Sequence, residues 1–355
     1  MKILMVFVDM LRAFSQHVCN DGVPWNKLDD VLASFGGIVY SNCYSPSPDT
    51  PRGLASIWTG TYPKWNGCDE RIKYPKFFLD DAMDNLWKLF LRTAEDCSFN
   101  LFLQKKSVNF HSLPKGVEEH AILFDDDDLL SFLDSVRIEE NSVTYINLND
   151  YHTGIDKVRA ATDKMGVVYD MVAEKLKAIF DKHPRDTFDI GLIFSDHGCS
   201  LDRDGGILSH RGRIQTYLQL WVKNAGIDEL HRNNKMCSCM DIFPTIAFLL
   251  KGMVLNRIDG INLLSNAYHP YLVIEDYSVF TTEMKQILGW WGVLFPQKHI
   301  FTDIYDRWYS TANATLSPRE IELCKKILEN YASQYPHNIK KQKMIEFMGW
   351  ASAQK

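Results

Sequence analysis

Residues 3–9 read ILMVFVD, from Ile3 to Asp9. Six apolar side chains follow one another without alternation, and Ile3, Val6 and Val8 are β-branched. That pattern fits a strand covered on both faces, as in a parallel sheet. Asp9 closes the run at the strand's C-terminal end, the edge at which open α/β sheets bind ligands. Two further apolar runs end the same way. Val143 to Leu148 leads into Asn149-Asp150-Tyr151-His152, and Asp189 to Phe194 leads into Ser195-Asp196-His197-Gly198. One aspartate at a strand end is commonly a turn residue or a helix cap. Several strands of one sheet would bring Asp9, Asn149, Asp150, His152, Asp196 and His197 to a single edge.

Outward from these strands, further elements follow from periodicity and breakers. Ile38–Tyr44 and Tyr217–Val222 read as strands, and Asn100–Leu103 and Ala121–Phe124 as short ones. Trp25–Phe35, Leu54–Trp58, Trp87–Arg92, about Lys157–Lys182 and Asp241–Leu250 read as helices. Ser45 to Arg52 is too rich in Pro and Ser for a regular element. From Tyr271 the pattern changes to short strands at Tyr271–Ile274, Gly292–Phe295 and His299–Asp303, closed by a helix at Ser317–Ala332. The expected fold class is α/β: a mostly parallel central sheet with helices on both faces, plus a small C-terminal antiparallel-sheet subdomain. The division is an α/β catalytic domain over 1–270 and a C-terminal subdomain over 271–355.

The 355 residues carry 39 Lys+Arg against 45 Asp+Glu, a formal net charge of -6. A nucleic-acid binder would show a basic excess, so that class is set aside. An anionic substrate must be drawn in by local groups, because the global charge repels it. The eight cysteines form no dense framework and read as reduced thiols. The N-terminal apolar run stops after six residues, too soon for an export signal, and no uncharged run of membrane-spanning length occurs. The chain reads as cytoplasmic. The acidic run Asp125–Asp128 fits a solvated helix start better than a metal site.

Asp and His are oxygen and nitrogen ligands suited to zinc or manganese, with calcium or magnesium also compatible. A divalent ion held by Asp9, Asp196 and His197 would lower the pKa of a bound Thr50 hydroxyl and neutralise charge on a phosphoryl or sulfuryl oxygen. Thr50 lies just before a helix, whose free N–H groups favour an anion.

These segments together resemble the sulfatase-like branch of the alkaline phosphatase superfamily. ILMVFVDMLR (3–12) is similar to its opening strand and first metal aspartate. LDDVLASFGGIVYSNCY (28–44) resembles the helix and strand that follow. TPRGLASIWTGTYPKWNG (50–67) resembles the nucleophile helix, and FSDHG (194–198) the second metal motif. DIFPTIAFLLKG (241–252), with Asp259-Gly260, resembles a further structural signature. In that family the nucleophile lies nine residues before the Thr of Thr-Gly, which implies Thr50. The resemblance also implies a metal set of Asp9, Thr50, Asp196 and His197. Further catalytic candidates are Arg52, two residues from the family's arginine position, and His152 and His210, as histidines of the loops after the middle strand and after the Asp-His motif. A threonine cannot be oxidised to the formylglycine that sulfatases use. Met10 stands where they carry a second acid, and His197 where they carry Asn or Gln.

The expected function is a metal-dependent hydrolase or transferase acting on phosphate-type esters through a threonine nucleophile. One alternative is a sulfatase-like enzyme that works without formylglycine, and another is a non-catalytic binding protein on a degenerate fold. The expected partner is a small anionic ester, which a glycan or lipid headgroup could carry. The oligomeric state is left open.

Overall fold

The computed structural model describes residues 1–68, 79–93, 96–105, 117–125, 128–158, 164–201, 207–255, 257–278, 288–303, 306–311 and 315–334. The chain runs β1 (Lys2–Val8), α1 (Lys27–Phe35), β2 (Gly37–Tyr40), β3 (Cys43–Tyr44), α2 (Thr50–Thr59), α3 (Pro63–Asn66) and α4 (Leu86–Thr93). Then follow β4 (Ser98–Gln104), β5 (Ala121–Phe124), α5 (Leu129–Ser135), β6 (Ser142–Leu148), α6 (Asp150–Val158), α7 (Met165–Lys182), β7 (Ile190–Phe194), α8 (Ile207–Ile214) and β8 (Leu218–Val222). The last elements are β9 (Leu230–Asn233), β10 (Cys237–Ser238), α9 (Ile242–Leu249), β11 (Leu272–Ser278), β12 (Leu288–Phe295), β13 (Lys298–Asp303), β14 (Trp308–Ser310) and α10 (Pro318–Ser333).

Eight strands form one sheet in the order β5-β4-β6-β1-β7-β8-β2-β9. Only β8 runs against its neighbours. The β1 side chains explain why the sheet is covered on both faces. Leu4, Val6 and Val8 join one apolar core with residues of α1, α5, α6 and α7. Ile3, Met5 and Phe7 join another, built with α2, α4 and α9. Each large side chain so buried stabilises the fold by about 1.5–3 kcal/mol.

The register of the central strands aligns their ends. Phe7 pairs with Phe194, and Val8 with Leu148. Continued past the strands, it sets Asp196 beside Asp9 on one side and Asn149 beside it on the other.

The C-terminal part forms a separate four-stranded antiparallel sheet, β11-β12-β13-β14. It packs on the first part through Leu272, Ile274, Trp290, Leu294 and Phe301 against Tyr44, Ile214, Met236 and Met240. No described helix is long and apolar enough to cross a membrane.

Three elements differ from expectation. The run 38–44 is split: β3 leaves the large sheet and pairs with β10. The helix expected over 157–182 is two, α6 and α7. They pack closely because Gly154 has no side chain; a Cβ there would lie 2.8 Å from Val168. Helix α2 starts at Thr50, four residues before Leu54, because Asp49 accepts a hydrogen bond from the Arg52 N–H (3.3 Å) and Pro51 takes a first-turn position.

Candidate active site

Asp9 is 2% exposed, and its N–H donates to Leu148 O at 3.0 Å. Met10 then turns the chain with φ 63°. That left-handed conformation costs an L-residue about 1–2 kcal/mol. It directs the Met10 N–H onto Asp196 Oδ1 at 3.3 Å, tying the ends of β1 and β7 together. Gly53 lets α2 rest on the same loop, since a Cβ there would sit 2.7 Å from the Asp196 carbonyl oxygen. Thr50, at the head of α2 and buried, thereby brings its Oγ1 to 3.4 Å from both Asp9 Oδ1 and His197 Nε2.

The His197 ring contacts Gly198 O through Nδ1 at 2.7 Å. A carbonyl oxygen only accepts, so Nδ1 is the donor in that contact, and Nε2 is the ring nitrogen turned towards Thr50 and Asp196. Nε2 lies 3.3 Å from Asp196 Oδ2, a fully buried oxygen with no hydrogen-bond donor. Ligand atoms of Asp9, Asp196 and His197 all fall within 4.8 Å of one another. Burial pushes the Asp196 carboxyl upward; the His197 ring opposes this and the Asp9 carboxylate adds to it. Two buried carboxylates and an imidazole nitrogen thus converge on one point. A divalent cation fits that donor set, and Asp9, Asp196 and His197, with Thr50 Oγ1 beside them, are the residues that would hold it.

His152 lies in the first turn of α6, not in a loop. Its Nδ1 is 2.9 Å from Asp9 Oδ2 and its Nε2 is 3.3 Å from Asp156 Oδ2. The Asp9 hydrogen bond raises its pKa above the ordinary histidine range, against the pull of burial. Asp150 heads the same helix and accepts from Gln104 Nε2 at 3.2 Å, while Gln104 Oε1 accepts the Asn149 N–H. Among the described residues Asp150 is not in the ligand cluster. His210 belongs to α8, and its side chain lies outside the described residues.

Arg52 does not reach the cluster. Its guanidinium, 1% exposed, pairs with Asp49, with Asp276 Oδ1 (2.9 Å) and with Glu275 O (3.2 Å). Arg52, a catalytic candidate of the sequence, thus has its guanidinium engaged by internal partners. A side chain one turn into a helix capped by its own partner Asp49 is turned back along that cap. Sequence reasoning missed Gln104, although it ends β4 as Asp9 ends β1, and the same strand-end criterion applies to it. It also missed Asp276, which no local pattern marks.

No protein-family model matches the chain, and no curated protein sequence matches it. Solved structures do. A 2-O GAG sulfatase superposes with a TM-score of 0.67 at 13% identity, over 96% of this chain and 92% of that one. A sulfatase-named protein of Bacteroides thetaiotaomicron gives 0.68 at 14%, over 96% and 92%. The phosphonate monoester hydrolase of Agrobacterium radiobacter gives 0.61 at 13%, over 94% and 95%. At such identities the likeness is one of fold, and it spans nearly the whole of each chain.

Proposed function

We propose that this chain, built on the fold that sulfatases and phosphonate monoester hydrolases of the alkaline phosphatase superfamily share, is a metal-dependent enzyme acting on phosphate-type esters with Thr50 as nucleophile. The observation that carries this reading is the position of Thr50 Oγ1, 3.4 Å from Asp9 Oδ1 and 3.4 Å from His197 Nε2 at the head of a buried helix. A divalent ion bound by Asp9, Asp196 and His197 would supply charge stabilisation for a phosphoryl oxygen and a lowered pKa for the Thr50 hydroxyl.

The protein's own groups do the rest. Thr50 Oγ1 has two proton acceptors in reach. Its attack would form an O–P bond to Thr50 as the bond to the leaving oxygen breaks on the far side. Water, or the hydroxyl of an acceptor, would then displace the phosphoryl group from Thr50, which separates hydrolase from transferase. His152, with 35% of its side chain exposed, is the titratable group between the buried Asp9 and solvent. It is suited to hold Asp9 in place and to pass a proton outward. Zinc and manganese suit this donor set best, and a glycan or a lipid headgroup could carry the ester.

Threonine separates this site from formylglycine chemistry, because its carbinol carbon already bears a methyl group and cannot become an aldehyde. A phosphate monoester also brings about one more negative charge than a sulfate ester at neutral pH, so a cationic site gains more from it. A second reading, sulfate-ester cleavage without formylglycine, is favoured by the sulfatases among the structural neighbours. The discriminating experiment compares kcat/KM for aryl phosphate, aryl phosphodiester, aryl phosphonate and aryl sulfate on protein reconstituted with zinc or manganese. A phosphate-type ester should be preferred. Preference for the sulfate would install the second reading, and no turnover of any would favour a binding protein.

A further inference from the structure

Four charged side chains run in a line from the C-terminal sheet to the head of α2: Arg213, Asp276, Arg52 and Asp49. Asp276, on β11, divides its carboxylate between two guanidiniums. Oδ1 accepts from Arg52 at 2.9 Å and Oδ2 from Arg213 at 3.4 Å. Arg52 Nε donates to Asp49 Oδ2 at 2.6 Å, and Asp49 Oδ1 caps the helix that Thr50 begins. The backbone beside Asp276 tightens the same junction. The Glu275 N–H donates to Pro46 O at 3.0 Å, and Glu275 O accepts from Arg52 Nη1 at 3.2 Å. Burial alone would weaken the charge on Arg52, but the Asp49 and Asp276 carboxylates outweigh it and hold the guanidinium pKa above its ordinary value. Arg52 is nearly inaccessible, and of the carboxylates that supply its countercharge, Asp49, Asp276 and Glu275, the last two belong to the second sheet.

We infer that Asp276 is a positioning residue for Thr50, acting through Arg52 and Asp49 to fix the first turn of α2, so that the site is completed by a residue of the C-terminal sheet. This rests on the reading of Thr50 as the nucleophile. A nucleophile displaced by about 1 Å can lose on the order of 100-fold in rate while the substrate still binds. A brace on the helix cap should therefore act on kcat more than on KM.

The test uses the full chain with zinc and whichever aryl ester it turns over. Asp276→Asn keeps the shape and removes the charge. It should lower kcat roughly 10- to 100-fold with KM and zinc stoichiometry unchanged. Hydrogen exchange should accelerate in residues 46–54 and not in residues 3–8. Asp49→Asn combined with Asp276→Asn should cost less than the sum of the two, as expected for members of one network. Asp303→Asn, which breaks an exposed pair with Arg307 on the same sheet, should leave kcat unchanged. If Asp276→Asn does not fold, Arg213→Gln, which removes the weaker guanidinium partner of Asp276 together with its contact to Pro48 O, should give a smaller fall of the same kind. An unchanged kcat, or a fall that merely tracks the folded fraction, would overturn the inference. If the wild-type protein turns over none of the esters, the functional reading fails by itself. The exchange measurement then still decides the brace: acceleration confined to 46–54 supports it, and unchanged exchange overturns it.

Discussion

Thr50 is the residue on which the proposed chemistry turns, and its surroundings say what removing it should do. Its hydroxyl has polar neighbours at 3.4 Å and accounts for little packing. Thr50→Ala should therefore leave the fold and metal binding nearly intact while lowering kcat on the order of 10³-fold or more, measured with the preferred ester. Wild-type turnover in that variant would remove Thr50 from the mechanism. Asp196→Asn acts on a different quantity. It takes charge from a wholly buried oxygen with no donor, so zinc affinity in a competition titration should fall by more than the roughly 10- to 100-fold that losing an outer partner costs. An unchanged affinity would place the ion elsewhere. Asp9, Asp196 and His197 stand at strand ends that the local pattern marks, whereas Thr50 came from its spacing to Thr59-Gly60 and the family resemblance. Arg52 was legible as a charge but not as a role, since its partner Asp276 lies 224 residues along the chain. His152 was placed in a loop because a strand ending at Leu148 gives no sign that a helix begins at Asp150.

Among the elements, α2 decides the geometry. It must start at Thr50 and lie against the loop carrying Asp196, and Gly53 is the residue that permits the contact. A methyl group there would meet the Asp196 carbonyl oxygen at 2.7 Å, and neither backbone can yield cheaply. Gly53→Ala should destabilise the protein by about 1–3 kcal/mol, the usual cost of overpacking, and lower kcat beyond the loss of folded protein. Denaturant unfolding and kinetics on the soluble fraction check this, and a neutral variant would show that α2 can move without consequence. The apolar run of β1 marked a central strand because both faces are buried. The start of α2 was hidden because Pro and Ser density signals irregular backbone, while Pro in a first helical turn behind an Asp cap signals the opposite. The separation of β3 from β2 depends on pairing with β10, almost two hundred residues later, and no local pattern contains it.

Over the whole molecule, the two sheets meet at an apolar seam that also buries a histidine. His299 on β13 sets its ring edge-on to Tyr44, with centroids 4.9 Å apart, and its Nδ1 is buried without a partner. Burial, and secondarily the Arg211 charge, lower its pKa from 6.5 to about 3. Above about pH 6.5 the ring is neutral in the folded and unfolded chain alike. Below that, the unfolded chain takes up a proton that the folded chain refuses until about pH 3. Stability should therefore fall as pH drops through this window, by up to about 1.4 kcal/mol per pH unit from this group. His299→Phe should lose less stability than wild type between pH 7.5 and pH 5 in ~matched denaturant titrations; equal losses would mean the ring is not held neutral. The division into a parallel-sheet part and an antiparallel C-terminal part was legible from the change in strand pattern near Tyr271. The way the second part reaches the nucleophile was not, because it rests on single side chains of β11. The central claim is that three strand and helix ends converge on one divalent ion beside Thr50. Anomalous diffraction at the zinc edge from crystals grown with zinc tests it directly. One peak should lie at about 2.0–2.2 Å from oxygens of Asp9 and Asp196 and from His197 Nε2, with Thr50 Oγ1 as a ligand or near neighbour. Zinc bound at other residues, with Asp9, Asp196 and His197 free of it, would contradict the account.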